Sequence, residues 1–335
     1  MKEYILKRLG LLVIVLFGVS IITFSLVRLA PGDPAVHLAG EHATPQVLET
    51  IREKYHLNEP IHIQYIYWLR LALQGDLGRS IKSRDLVTNE IIQRIPMTLE
   101  LTLFAIIIAT IIGIIAGVIS AVKQYSIADY GVMVGALFGV SMPVFWLGLM
   151  LIYIFSIQLG LTPVGGRLSV GIELQRITGM YVLDSILTLN WAAFVDSIKH
   201  LILPAFALAT IPMATVARMT RSSMLEVLRQ DFIRTERAKG LSERSVIYKH
   251  AVKNALIPIV TVIGMEIGML MGGAVLTETI FTLPGLGKYI TDAILAYDYP
   301  VVQGFTLFFA TLFVVVNLIT DIIYVYIDPR IKYEG

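Results

Sequence analysis

Apolar residues along this chain gather into long runs rather than alternating or one-sided stripes. Residues 9–27 carry no charge, and a helix needs roughly 20 apolar residues to cross a hydrocarbon core about 30 Å thick. Six segments reach or approach that length: 9–30, 101–122, 130–159, 201–217, 255–276 and 301–327. The third is the longest and is broken by Pro143; the fourth is short and holds Pro204 and Pro212. Prolines in a membrane helix imply kinks whose freed backbone groups neighbouring helices satisfy. Glu266 interrupts the fifth segment and Asp321 lies near the end of the sixth. A shorter stretch, 181–195, contains Asp184 and Asn190 and reads as an amphipathic piece of an external loop. The pattern predicts an all-α membrane protein with six transmembrane helices. The opening run is longer than the roughly 7–15 residues of a signal-peptide core, so it reads as a retained anchor helix.

Six spans place both termini on one side, and the distribution of Lys and Arg says which. Segment 218–254 alone holds nine basic residues, whereas the short connections on the other face hold few. Segment 31–97 holds seven, but long segments translocate regardless of charge. Both termini are therefore expected in the cytoplasm. Three regions follow: 1–30 with the first span, 31–98 as an extracytoplasmic helical segment, and 99–335 as the core of five spans. Within 31–98, residues 45–54 and 61–73 look amphipathic, and Gly75-Asp76-Leu77-Gly78 is a turn. Glycines spaced by four (Gly113 and Gly117; Gly131, Gly135 and Gly139; Gly268 and Gly272) let helix backbones approach closely in lipid. Packing within the chain is the main expectation for them, packing on a second subunit the lesser one.

Composition narrows the chemistry. Charged residues make up 16% of the chain, against about 25% in soluble proteins. There is no cysteine, which excludes disulfides and thiolate chemistry. No phosphate-binding Gly-x-x-x-x-Gly-Lys-Ser/Thr loop occurs, and the six histidines show no metal-ligand spacing. The expectation is a non-catalytic chain without a cofactor of its own. The two intramembrane carboxylates are costly unless they face the bundle interior or a wet cavity. Glu266, near mid-depth, is the candidate for the translocation path, with a neighbouring helix's Asn or Arg as an equally good partner.

Segment 218–254 is long for a connection, and such lengths are usually functional. It reads as a helix over 223–239, a Gly240 reversal in the left-handed conformation, and a second helix capped by Ser242 that runs to about Asn254. Nine basic residues could also suit anionic lipid or nucleic acid, but tethering at both ends makes DNA recognition awkward. A docking element for a cytoplasmic partner is the third reading.

Here the residues resemble a known family. Asp231-Phe232-Ile233-Arg234-Thr235-Glu236-Arg237-Ala238-Lys239-Gly240-Leu241 is similar to the cytoplasmic loop of binding-protein-dependent ABC importer permeases, in the form of the dipeptide/oligopeptide group's B-type subunits. Likeness extends through Ala30-Pro31-Gly32-Asp33-Pro34, Gly75-Asp76-Leu77-Gly78, Arg218-Met219-Thr220-Arg221, Thr277-Glu278-Thr279 and Asp298-Tyr299-Pro300, and covers nearly the whole chain. The resemblance implies the type I importer-permease fold in a bacterial plasma membrane. It also implies a second, C-type permease subunit, two ATPase subunits, an extracytoplasmic peptide-binding protein and a peptide substrate. Residues 231, 234–236 and 238–241 would form the coupling helix that docks on an ATPase. The general importer pattern has Glu-Ala-Ala where this chain has Arg234, Thr235 and Glu236, so Asp231 or Glu236 would have to replace the missing glutamate. Nickel chelates or glutathione remain alternative cargoes, and a proton-driven secondary transporter working through Glu266 is the alternative from another class.

Overall fold

The computed structural model describes residues 2–29, 33–39, 43–54 and 56–327. Side chains of 2–9, 26–27, 29, 34, 37–38, 271–273 and 319–327 are excepted. Ala30, Pro31 and Gly32 of the first motif, Arg330 and Lys332 lie outside the described residues, and so does the side chain of Asp321.

The described residues form helices and turns, with one isolated β-bridge between Arg79 and Leu86. In chain order the helices are α1 (Lys2–Leu29), α2 (Pro34–Ala39), α3 (Pro45–Lys54), α4 (Ile61–Leu73), α5 (Val87–Val122), α6 (Ile127–Ser141), α7 (Val144–Leu151) and α8 (Tyr181–Leu187). They continue with α9 (Trp191–Leu228), α10 (Asp231–Ala238), α11 (Glu243–Ser245), α12 (Val252–Gly273), α13 (Val275–Ile280), α14 (Leu286–Leu295) and α15 (Tyr299–Ile327). Wide π-helical turns extend α7 over Ile152–Gln158 and join α11 to α12 over Val246–Ala251.

Among the described residues, four helical stretches are long and apolar enough to cross a membrane: Val87–Val122, Trp191–Leu228, Glu243–Leu270 and Tyr299–Leu318. The apolar part of α1 within that set, Gly10–Ser25, is shorter. The third expected span is not one rod. α6 and α7 meet at an angle of 104°, because Met142 is extended and Pro143 has no N–H with which to continue the helix. The fourth expected span is much longer than its apolar run. α9 passes through Pro204 and Pro212 without interruption, and the Thr210 hydroxyl donates to the Ala207 carbonyl in the turn ahead of Pro212.

The chain divides into two compact units, Met1–Pro96 with Pro284–Leu318 and Met97–Leu283 with Ile319–Gly335. In the first, Val87, Ile91, Leu286, Tyr289, Val301 and Phe305 form the core. Buried Asp298 accepts from Ser80 Oγ at 2.6 Å and from the Ile81 N–H at 3.0 Å, which ties the 79–84 loop to the start of α15. The expected turn has Gly75 and Gly78 in the left-handed region. A Cβ built on Gly78 would lie 3.6 Å from Pro300 Cβ, so two of the motif segments are in direct contact.

In the second unit, α9 is the buried axis against which α6, α7, α8 and α12 pack, and α5 closes on it at two glycines. The glycine expectation divides. A Cβ at Gly113 would meet the Met213 carbonyl at 2.9 Å, and one at Gly117 would meet the Ala217 carbonyl at 2.6 Å, so here the backbones of α5 and α9 touch. Gly131 and Gly135 on α6 face open space. On the 160–190 loop, Arg167 bonds Glu100 Oε2 at 2.8 Å and lies 3.5 Å from the Tyr181 ring centroid. Asp184 accepts from the Thr178 N–H, the Thr178 hydroxyl and the Gly179 N–H. Burial pushes its carboxyl up, but those bonds outweigh it and hold the group below the usual carboxylate range.

Gly117→Ala should wedge α5 away from α9 and destabilise the protein by about 1–3 kcal/mol, the usual cost of overpacking. Gly131→Ala, in open space, should be neutral or slightly stabilising. Thermal unfolding of the two variants in the same lipid or detergent compares them directly, and equal midpoints would contradict the close approach.

Candidate functional site

The segment after α9 departs from the expected single helix over 223–239. α9 runs to Leu228, Gln230 is extended, and α10 begins at Asp231. In an uninterrupted helix Ile233 would stand about 180° from Met224 at 100° per residue. The break turns it back, so that Met224 and Ile233, both fully buried, share one core with Val227, Val246, Ile247 and Ala251. Ile233 is thus the anchor of α10, a role its place among charged neighbours did not suggest.

Gly240 has φ of +81°, as expected for the reversal, and its N–H donates to the Arg237 carbonyl at 3.0 Å. No atom lies within 4 Å of a Cβ built there, so the demand for glycine comes from backbone conformation rather than space. Ser242 occupies the N-cap of α11, but its side chain makes no capping bond. The second helix does not stop near Asn254. It continues through the wide turn into α12, so the loop's second arm and the following span are one rod.

α10 turns its charges outward. The Asp231 side chain is 94% exposed, in the first turn, with Arg234 Nη1 3.3 Å away. Glu236 is only 18% exposed and is held by Lys239 Nζ at 3.0 Å. Arg237 grips Glu243 across the Gly240 turn at 2.6 and 3.1 Å, and this bond holds the Arg237 guanidinium above its ordinary value. Thr235, Ala238 and Leu241 are also exposed. Apart from Glu236, the sequence-predicted residues thus form one outward surface on a helix anchored by Ile233.

A second cluster lies two helical turns before the end of α9. Arg221 Nε and Nη2 each bond one oxygen of buried Asp129 at 2.8 Å. The same carboxylate accepts the Ser120 hydroxyl and, at 3.0 Å, the Tyr125 N–H. Four donors on one carboxylate lock the turn between α5 and α6 to α9. The sequence reading took Arg221 only as part of a motif and missed Asp129; the spacing Ser126-x-x-Asp129, with Ser126 accepting from the Asp129 N–H at 3.3 Å, was the available signal. Glu266 is buried on α12, with Thr215 and Arg218 of α9 acting on its carboxyl. Arg218, an arginine of a neighbouring helix, is of the kind expected. Among the described residues no group of three or more His, Asp or Glu could hold a metal ion.

Asp129→Ala should leave Arg221 without its partner. Because Arg221 is about a quarter exposed, the cost is expected at about 2 kcal/mol, between that of a surface pair and that of a fully buried one. A double-mutant cycle with Arg221→Ala, read by unfolding, measures it; additive losses would mean the two side chains do not interact.

Residues 109–333 match the family described as binding-protein-dependent transport system inner membrane component, and residues 1–102 match the N-terminal part of such membrane components. A dipeptide transport system permease protein of Alkalihalophilus pseudofirmus is 52% identical over 99% of this chain and all of its own. A di/tripeptide transport system permease protein of Pseudomonas aeruginosa is 48% identical over the whole of both chains. An oligopeptide transport system permease protein of Bacillus subtilis is 42% identical over 99% of this chain and all of its own. The long apolar helices and these matches make the chain a multi-pass membrane protein that belongs to the family of binding-protein-dependent transport system inner membrane components.

Proposed function

We propose that the chain is the B-type permease subunit of an ATP-driven importer of dipeptides or short oligopeptides in a bacterial plasma membrane, with both termini in the cytoplasm. Its relatives named for dipeptides, di/tripeptides and oligopeptides support that cargo over nickel chelates or glutathione. The family places it in a multi-component transport system, which speaks against a self-sufficient proton-driven transporter. The working assembly pairs it with a C-type permease subunit, two ATPase subunits that bind ATP and magnesium, and an extracytoplasmic peptide-binding protein. Lipid surrounds the spans, and nucleic acid has no part.

The observation that carries the mechanism is the mounting of α10. A short charged helix is fixed by one buried isoleucine between two long membrane rods, α9 and α11–α12. A partner that grips α10 and moves it would act on both rods, which is how closure of the ATPases would switch the path between outward and inward openings. Asp231 is the better substitute for the missing glutamate, since its carboxylate points outward while that of Glu236 is largely covered. Glu266 would have to exchange Thr215 and Arg218 before it could take a peptide's amino group, so it is a weak candidate for the path.

Asp231→Ala is expected to lower ATP-dependent uptake by about tenfold or more, as truncation of a charged partner in an interface does, and Glu236→Ala by less than about twofold. The reverse order would transfer the role to Glu236. Gly240→Pro, which cannot adopt a positive φ, should give a complex that inserts normally yet hydrolyses ATP without uptake. Full uptake by that variant would remove the loop as the transmission element.

A further inference from the structure

The first unit contains a cavity of about 380 Å3 between the end of α1, the end of α3, one side of α4, the 76–84 loop and the start of α15. Its size falls within the roughly 300–1,000 Å3 of small-molecule sites. Four cationic side chains line it, Arg28, Lys54, Arg79 and Arg84, against a single carboxylate, Asp76. Asp76 is already engaged, accepting the Gly78 N–H at 2.9 Å. Arg28 is oriented by Gln64, with Nε 2.9 Å from Oε1, and by the Phe24 ring. Arg79 donates to the Arg84 carbonyl at 3.3 Å, and among the described residues neither of these two meets a carboxylate.

Position along the chain sets the depth of this cavity. Arg28 directly follows the uncharged run 9–27, and Gln303 opens the apolar part of α15, so the cavity straddles the ends of two spans at the membrane–water boundary. Trp68 and Tyr67 share its wall, the residue types that settle at headgroup level. The floor is preformed: Asp298 pins the loop that carries Arg79 and Arg84, and Arg84 itself is held at φ of +64°. We propose that this cavity binds the phosphate of an anionic phospholipid headgroup, with the arginines on the phosphate and the aromatic side chains against the glycerol and upper acyl chain. Basic groups at an anionic membrane surface attract such lipids by about a factor of five each, and phosphate, like carboxylate, is an anion that arginine holds bidentately.

The test uses the purified full-length chain and native mass spectrometry after exposure to phosphatidylglycerol, phosphatidylcholine or inorganic phosphate. Wild type should retain phosphatidylglycerol in preference to phosphatidylcholine. Arg79→Ala with Arg84→Ala should lose that preference about tenfold or more, while Arg70→Ala with Lys82→Ala, which removes equal charge outside the cavity, should keep it. Equal retention of both lipids, equal losses in the two double variants, or binding of inorganic phosphate without lipid would each overturn the proposal. So would unchanged lipid binding in the Arg79/Arg84 variant accompanied by weaker association with an acidic extracytoplasmic protein, which would make the cavity a protein contact.

Discussion

The close approach of α5 to α9 at Gly113 and Gly117 is the constraint on which the second unit rests. In lipid there is no hydrophobic drive to bring helices together, so packing and hydrogen bonds must do it. Two glycines let the backbones touch, and α9 then has neighbours along its length, enough to keep it helical through two prolines. At about 1.5 Å per residue its 38 residues extend about 57 Å, nearly twice the hydrocarbon thickness. A rod of that length reaches from the 160–190 loop region to α10 without a joint. Displacement at one end therefore reaches the other with little loss.

Polar groups inside this chain follow the same economy. Asp129, Asp184, Asp298 and Glu100 are all buried and each accepts several hydrogen bonds; Asp184 ties its own loop, while the other three join segments far apart in the sequence. The carboxylates act as multi-point ties. The outward charges of α10, by contrast, make only local pairs over an exposed surface, where such pairs add little stability. Internal charge holds the fold and external charge is left for recognition.

Much of this was legible in the chain's pattern. The apolar runs located the membrane helices, Gly240 announced its reversal, and Pro143 marked the break in the third segment. What escaped had tertiary causes. Local pattern cannot say that Pro143 yields a 104° corner while Pro204 and Pro212 leave a helix continuous; the neighbours decide. Residues 223–239 read as one helix, yet burial of Ile233 required a break at Gln230. The six-span count rested partly on 9–30, whose outer end lies outside the described residues.

The wide turn over Val246–Ala251 carries a consequence for angular register. An i→i+5 turn accommodates roughly one more residue than an α-helical turn, and one residue corresponds to about 100° of rotation. The side-chain faces of α11 and α12 are therefore out of step by that amount relative to a wheel drawn straight through both. The 243–251 arm can turn Val246 and Ile247 to the α10 anchor while Ile259 and Val262, further along the rod, still join the same buried cluster. The turn acts as a phase adapter, letting one continuous rod keep both of its stretches on a single core.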